Sequence, residues 1–314
     1  MEIFSMDIMQ LLIIASISAA TPLLLATLGG ILSERAGIIN LGIEGMMLIG
    51  AVCAYIVSIY TDSEWLAIIF SLLGGSALGA LLAFLCITLR SNQIVAGLGI
   101  TLFATGLSSY LGKSFGGSQP QTQIPNLDIP WLDNIPFFGE IFSHLNWMVW
   151  ISFFIAIVLY VAIFKTRWGL HLRALGDGPA AADNAGVNVY RYQYLMTIIG
   201  AALCGLAGAT LILVYTPSWN DGLTSGRGWI AVALVIFSRW HPINAIFCAI
   251  LFGLFETLGF KVQLYYADIP PYFLKMMPYL TTIVVLMWVG WRNKNKPNGQ
   301  PISLGKTYIR EQRG

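Results

Sequence analysis

Charge is scarce in this chain. Asp, Glu, Lys and Arg make up 10% of its 314 residues, 57% are hydrophobic and mean hydropathy is +0.73. A soluble domain carries about 25% charged residues, so a chain this apolar lacks the polar surface to stay dissolved, and lipid is the expected solvent. Histidine is nearly absent: His144, His171 and His241 fall in connections or at span ends. No His-Glu-x-x-His, no Gly-x-Ser-x-Gly and no Walker-type phosphate loop occurs, which removes the usual machinery for metal-assisted hydrolysis, acyl transfer and nucleotide hydrolysis from this chain. Cys53, Cys86, Cys204 and Cys248 stand far apart inside apolar runs with no Cys-x-x-Cys. They read as small packing residues rather than metal or redox ligands. A net charge of +2 offers no nucleic-acid footprint. The first apolar run, from Ile8, is longer than a signal-peptide core and follows Glu2 and Asp7 rather than basic residues, so no cleavable signal is expected.

What the chain has is long apolar runs. Crossing lipid takes about 20 apolar residues in a helix, and nine segments are candidates: 9–32, 43–60, 66–89, 94–112, 147–164, 192–215, 225–237, 243–260 and 276–291. Backbone groups in lipid must be satisfied internally, so these are helices. The expected fold is an all-α polytopic membrane helix bundle of about nine transmembrane helices, eight to ten with broken or short ones, open to an inverted-repeat arrangement. Residues 225–237 are too few to cross alone and read as half of a broken helix.

Basic residues set the orientation. With nine crossings and the C-terminal tail in the cytoplasm, thirteen of the 17 basic residues fall inside: Arg35, Arg90, Lys165, Arg167, Arg173, Arg191, Arg239, Arg292, Lys294, Lys296, Lys306, Arg310 and Arg313. Only Lys113, Arg227, Lys261 and Lys275 fall outside. That asymmetry predicts N-terminus out and C-terminus in. One transmembrane domain, residues 1–314, then carries a long extracytoplasmic loop at 113–146, a long cytoplasmic loop at 165–191 and a cytoplasmic tail at 292–314. The outer loop holds Pro120, Pro125, Pro130 and Pro136 with Trp131, Phe137 and Phe138. None of these connections has room for a soluble catalytic domain.

Glycine is plentiful, at 32 residues, and much of it lies inside spans. Gly75 and Gly79, and the face formed by Gly200, Gly205 and Gly208, suit close helix packing and say nothing of substrate. Two segments are different. In residues 28–50, polar residues and glycines interrupt an apolar stretch, as happens where backbone lines a water-filled cavity or is buried in protein. Asn40 and Glu44 lie four apart there and share a face if the helix is continuous; the plain alternative is a cytoplasmic turn with Glu44 at a helix start. In the inner loop, Pro179 suits the first turn of a helix and Gly186 its C′ position, which predicts one or two turns between them. So short a helix needs a packing partner, either its own membrane domain or another chain.

These segments carry a family resemblance. ILSERAGIINLGIEGMMLIGA, ALGDGPAAADNAGVNVYRYQYLMTIIGAALCGLAGA and GRGWIAVALVIFSRWHPINAIFCAILFG, with the span spacing, resemble the permease subunits of bacterial ABC importers for nucleosides and simple sugars, in the wider group of branched-chain amino acid permeases. Relatives commonly carry Glu-Asn where this chain has Asp177-Gly178. The Ser-Glu-Arg-Ala-Gly wording leans toward the nucleoside branch. The resemblance implies a non-catalytic pore subunit with no cofactor of its own. Its implied partners are an ABC ATPase subunit that binds ATP and Mg, a second, paralogous permease and an extracytoplasmic substrate-binding lipoprotein, at the bacterial inner membrane. Asn40, Glu44, Asn92, Gln93 and Thr101 are the expected pathway residues, because polar groups suit hydroxyl-rich solutes. Trp229 is expected in core packing, with base or sugar stacking as the alternative, and Glu256, inside a span, should face protein or water. Arg173, Gly176, Asp177, Ala181 and Gly186 are the expected ATPase-coupling residues. A secondary transporter or channel for a small polar solute is the competing class; ion coupling there often needs ionisable residues within spans, and only Glu44 and Glu256 qualify.

Overall fold

The structure is a computed structural model that describes residues 6–115, 118, 120, 122–127, 138–265, 271–292 and 299–310. Among the described residues the elements are helical: α1 Met6–Arg35, α2 Ile43–Tyr60, α3 Glu64–Ala83, α4 Gln93–Lys113, α5 Phe138–Ser143, α6 Trp147–Lys165, α7 Arg167–Asp177, α8 Pro179–Asn184, α9 Val189–Thr210, α10 Arg227–Phe237, α11 Pro242–Tyr265 and α12 Pro271–Arg292. π-helical turns continue α3 through Phe84–Thr88 and α9 through Leu211–Tyr215. Polar residues punctuate the apolar sequence at helix starts. Ser63, Asn92, Asn146, Thr166 and Asn188 each accept a hydrogen bond from a backbone N–H in the first turn of α3, α4, α6, α7 and α9.

Seven of these helices are long and apolar enough to cross a membrane: α1, α2, α3, α4, α6, α9 and α11. The 22 residues of α12 would extend about 33 Å at 1.5 Å per residue. At 11 residues, α10 reaches only about 16 Å, half the hydrocarbon thickness. Each expected span therefore has a helix, and the short one is short. Two connections differ from expectation. The 165–191 segment contains α7 as well as the anticipated turn of helix, and 113–146 contains α5. Pro130, Trp131, Pro136 and Phe137 lie outside the described residues.

Burial sorts the helices. Within their apolar windows α2 and α9 are 72% buried, whereas α4, α6 and α11 are 28% buried, so the former are interior and the latter face outward. α9 packs along α1, α2 and α3, and its small residues permit this. A Cβ on Gly205 would strike the Ser71 carbonyl, and one on Gly208 the Met47 carbonyl. The glycine face read from the sequence is helix packing.

Candidate functional site

Two helices of the bundle begin in its interior. α1 ends with Gly37 at φ +86°, the Gly37 N–H donating to Glu34 C=O (2.9 Å) and Ile38 N–H to Ser33 C=O (3.1 Å). This left-handed cap turns the chain back into the bundle. The returning segment, residues 38–42, has no ladder of its own, so side chains hold it. Gln93 Oε1 accepts from Ile39 N–H (2.8 Å), Thr101 Oγ1 donates to Leu41 C=O (3.0 Å), and Asn40 Oδ1 accepts from Gly42 N–H (3.0 Å). Three of the five nominated pathway residues are thus buried together here, Asn40 within the non-helical turn and wholly enclosed, Gln93 and Thr101 reaching it from α4. Asn92 is exposed and caps α4 through Ile94 and Val95 N–H.

Glu44, in the first turn of α2, meets the other interrupted helix. Its Oε1 accepts from Thr224 Oγ1 (2.6 Å) and Gly226 N–H (3.0 Å), and its Oε2 from Gly228 N–H (2.6 Å). The two N–H groups belong to the N-terminus of α10 and have no acceptor within that helix, and Thr224 lies in the turn just before it. One buried carboxylate therefore sits at the positive ends of two helices at once, its own and α10. Gly228 makes this possible, because a Cβ there would overlap the Glu44 backbone. The depth follows from helix rise. Tyr55 donates to the Phe115 and Ser118 carbonyls beyond α4 (2.9 and 2.8 Å), and Glu44 lies eleven residues, about 16 Å, along α2 from it. α10 runs a similar distance from Glu44 to the opposite end of the bundle, so the carboxylate lies near mid-depth.

Around this junction Arg227 is paired with Glu256 of α11, and its guanidinium stands 5.5 Å from the Tyr215 ring centroid. Glu256, half-buried, thus faces protein, as an intramembrane acid should. Arg227 and Thr224 were not singled out in the sequence: they lie 183 and 180 positions from Glu44, and no local pattern links them to it. Trp229, expected in the core, is 39% exposed. The buried stripe of α10 runs through Gly228, Ile230, Ala231, Leu234 and Val235, which leaves Trp229 and Ile236 on its open face.

The far end of α10 is tied to the end of α1. Glu34 Oε2 accepts from the Trp240 indole (2.6 Å), and Arg35 Nε and Nη2 donate to Trp240 C=O (3.1 and 2.9 Å). Arg35 and Arg173 both stand over the Phe164 ring, at 5.5 and 5.4 Å. His241 packs against Tyr160 and Phe164, with centroids at 5.3 and 4.8 Å, and burial, then the Arg35 charge, hold its pKa below the usual imidazole value. Ser-Glu-Arg thereby joins α1, α6, α7 and the end of α10.

α7 and α8 cover this end. α8 closes as its sequence predicts: Gly186 has φ +86°, Gly186 N–H donates to Asp183 C=O (2.9 Å) and Val187 N–H to Ala182 C=O (3.0 Å). Of the five nominated coupling residues, Asp177, Ala181 and Gly186 are exposed on this end, Arg173 is half-buried over Phe164, and Gly176 is buried where a Cβ would strike the Arg35 carbonyl. The first three are exposed together on this end, while Arg173 rests on α6 and Gly176 on the end of α1.

Residues 12–286 match the family described as branched-chain amino acid transport system / permease component. A candidate glucose ABC transporter permease of Haloferax volcanii is 37% identical, covering 95% of this chain and 97% of its own length. A guanosine ABC transporter permease of Bacillus subtilis is 33% identical over 96% of this chain and 100% of its own. A nucleoside ABC transporter permease of Lactococcus lactis is 34% identical over 88% and 92%. A solved ABC transporter in an inward-facing conformation, described as of metal-chelate type, aligns over 91% of this chain and 88% of its own, with 19% identity and a TM-score of 0.49.

Proposed function

This chain belongs to the branched-chain amino acid transport system / permease component family, and from that premise we propose that it forms half of the translocation pore of an ABC importer for a nucleoside or simple sugar. It is a multi-pass membrane permease component. In this reading a paralogous permease supplies the other half, and an extracytoplasmic binding lipoprotein delivers the solute. An ATPase subunit carrying ATP and Mg docks on α7–α8. The N-terminus lies outside and the tail in the cytoplasm of a bacterial inner membrane.

One observation carries the pore assignment: α10 starts at mid-depth, and the non-helical segment leading to it enters the bundle from Trp219, stacked on Tyr55 near one end, and reaches the Glu44 junction with Ser225 exposed beside it. Irregular polar backbone at such a depth is tolerated where it lines water and not where it meets lipid. Glu44 holds the start of α10 in place, and the 38–42 turn, with Asn40, Gln93 and Thr101, supports Glu44. These residues together with Asn92 then shape the route, and the open Trp229–Ile236 face of α10 borders it or the second permease. Nucleosides and sugars fit such a route because they need hydrogen bonds rather than charge neutralisation, and the nearby Arg227 and Glu256 neutralise one another.

Orientation is tested by single-cysteine labelling from outside in a cysteine-free background. Asn126→Cys should label and Gly178→Cys should not; the reverse pattern overturns the topology and with it the docking of an ATPase on α7–α8.

A further inference from the structure

Asp183 is the acid on helix α8, and the chain brings two groups to it from its C-terminal tail. Tyr308 donates its hydroxyl to Asp183 Oδ2 (3.1 Å), and Arg310 Nε lies 3.0 Å from the same oxygen. The approach to these contacts is held by backbone. Ser303 N–H donates to Gly176 C=O (3.0 Å), and Gly305 N–H to Gly37 C=O (3.1 Å). Residues 301–310 therefore run from the end of α7, past the turn after α1, to the flank of α8.

The tail and α8 face each other across a cavity of about 270 Å³, with Asp177, Pro179 and Ala180 on one wall and Ile302, Lys306 and Thr307 on the other. Ala180, Ala181 and Ala185 are exposed on α8, and Ile302 is 71% exposed on the tail. A single exposed isoleucine is ordinary on a protein surface. Its position is not: it extends the small apolar face of α8 across the cavity, and Lys306 and Arg310 keep that segment out of lipid. Neutralisation of Asp183 points the same way. A subunit seated on α8 removes water from its flank, and an uncompensated carboxylate there would oppose docking. Tyr308 and Arg310 supply the compensation before any partner arrives.

We propose that residues 301–310 are the second wall of the ATPase-docking surface. Tyr308 and Arg310 steady α8 through Asp183, and Ile302, Lys306 and Thr307 contact the ATPase subunit beside Ala181. This rests on the reading of α8 as the coupling helix.

The test is site-specific photo-cross-linking in the intact, detergent-extracted complex, with the probe at Ile302, at Ala181, or at Leu102, which is 75% exposed on α4. Probes at 302 and 181 should cross-link to the ATP-binding subunit, and the probe at 102 should not. If 181 cross-links and 302 does not, the tail is no part of the surface and the coupling reading stands. If neither does while the ATPase still co-purifies, the coupling reading fails and takes this proposal with it. A cross-link from 302 alone, or from 102 as well, also overturns the two-walled surface. A second measurement addresses Asp183. Arg310→Glu should weaken ATPase retention by roughly two- to five-fold, the scale of an exposed pair, and adding Asp183→Arg should restore it. Retention unchanged by Arg310→Glu, or not restored by the exchange, contradicts the assigned role of the pair.

Discussion

Glu44 lies within a few residues of the start of α2 yet does its bonding at the start of α10, 180 to 184 positions away. In Glu44→Ala, Thr224 Oγ1, Gly226 N–H and Gly228 N–H lose their acceptor at a site with little water, at about 1–3 kcal/mol for each group left dry. Glu44→Gln keeps one acceptor oxygen and should be milder. Gly228→Ala leaves the charge intact but forces α10 away from α2. Both Glu44→Ala and Gly228→Ala should lower the thermal midpoint in detergent and abolish uptake; wild-type values for both would remove the junction from the mechanism. His241 gives a pH signature. Its folded pKa is depressed, so the unfolded chain takes the proton more readily, and stability is fully present above the ordinary imidazole value of about 6.5 and is lost as pH falls through the folded value. The wild-type midpoint should therefore drop more steeply on acidification than that of His241→Phe, which keeps a ring against Tyr160 and Phe164. Parallel curves would contradict the assignment.

Among the elements, α8 is the one most fully legible in the sequence. Pro179 at its first turn and Gly186 just past its end are local signals, and both operate as expected. Gly186→Val meets open space, so its cost is conformational, about 1 kcal/mol or more for a β-branched residue at positive φ. It should tilt α8 and reduce both ATPase co-purification and substrate-stimulated hydrolysis while the permease still inserts. Ala181→Glu, on the exposed face, should impair docking without that strain. Full docking and stimulation in both variants would leave α8 a packing element only. α7 was legible in principle, since Trp168, Leu172 and Leu175 recur at helical spacing in a segment read as loop. The order of the tail was not legible, because it depends on backbone bonds to Gly37 and Gly176, and such bonds leave no side-chain pattern. The half-length of α10 was readable, but its partner was not: hydropathy reports depth along a helix, and says nothing of which distant carboxylate caps it.

At the scale of the whole molecule, the two interrupted helices and the α7–α8 platform are connected. α10 meets Glu44 at one end and the Glu34–Arg35 clamp at the other, and that clamp lies beneath Gly176 of α7. A displacement of α7–α8 therefore bears on the end of α10 through packed groups, the kind of rigid-body linkage that coupling requires. The most direct test is ATP-driven uptake in proteoliposomes that contain the complex purified with this chain, supplied with a binding protein and with labelled nucleoside or hexose. Accumulation of one of these solutes should require ATP and Mg, should disappear with Ala181→Glu, and should be accompanied by hydrolysis on a separate subunit. Solute movement that proceeds without ATP, or a purified complex that contains no ATPase, would contradict the account.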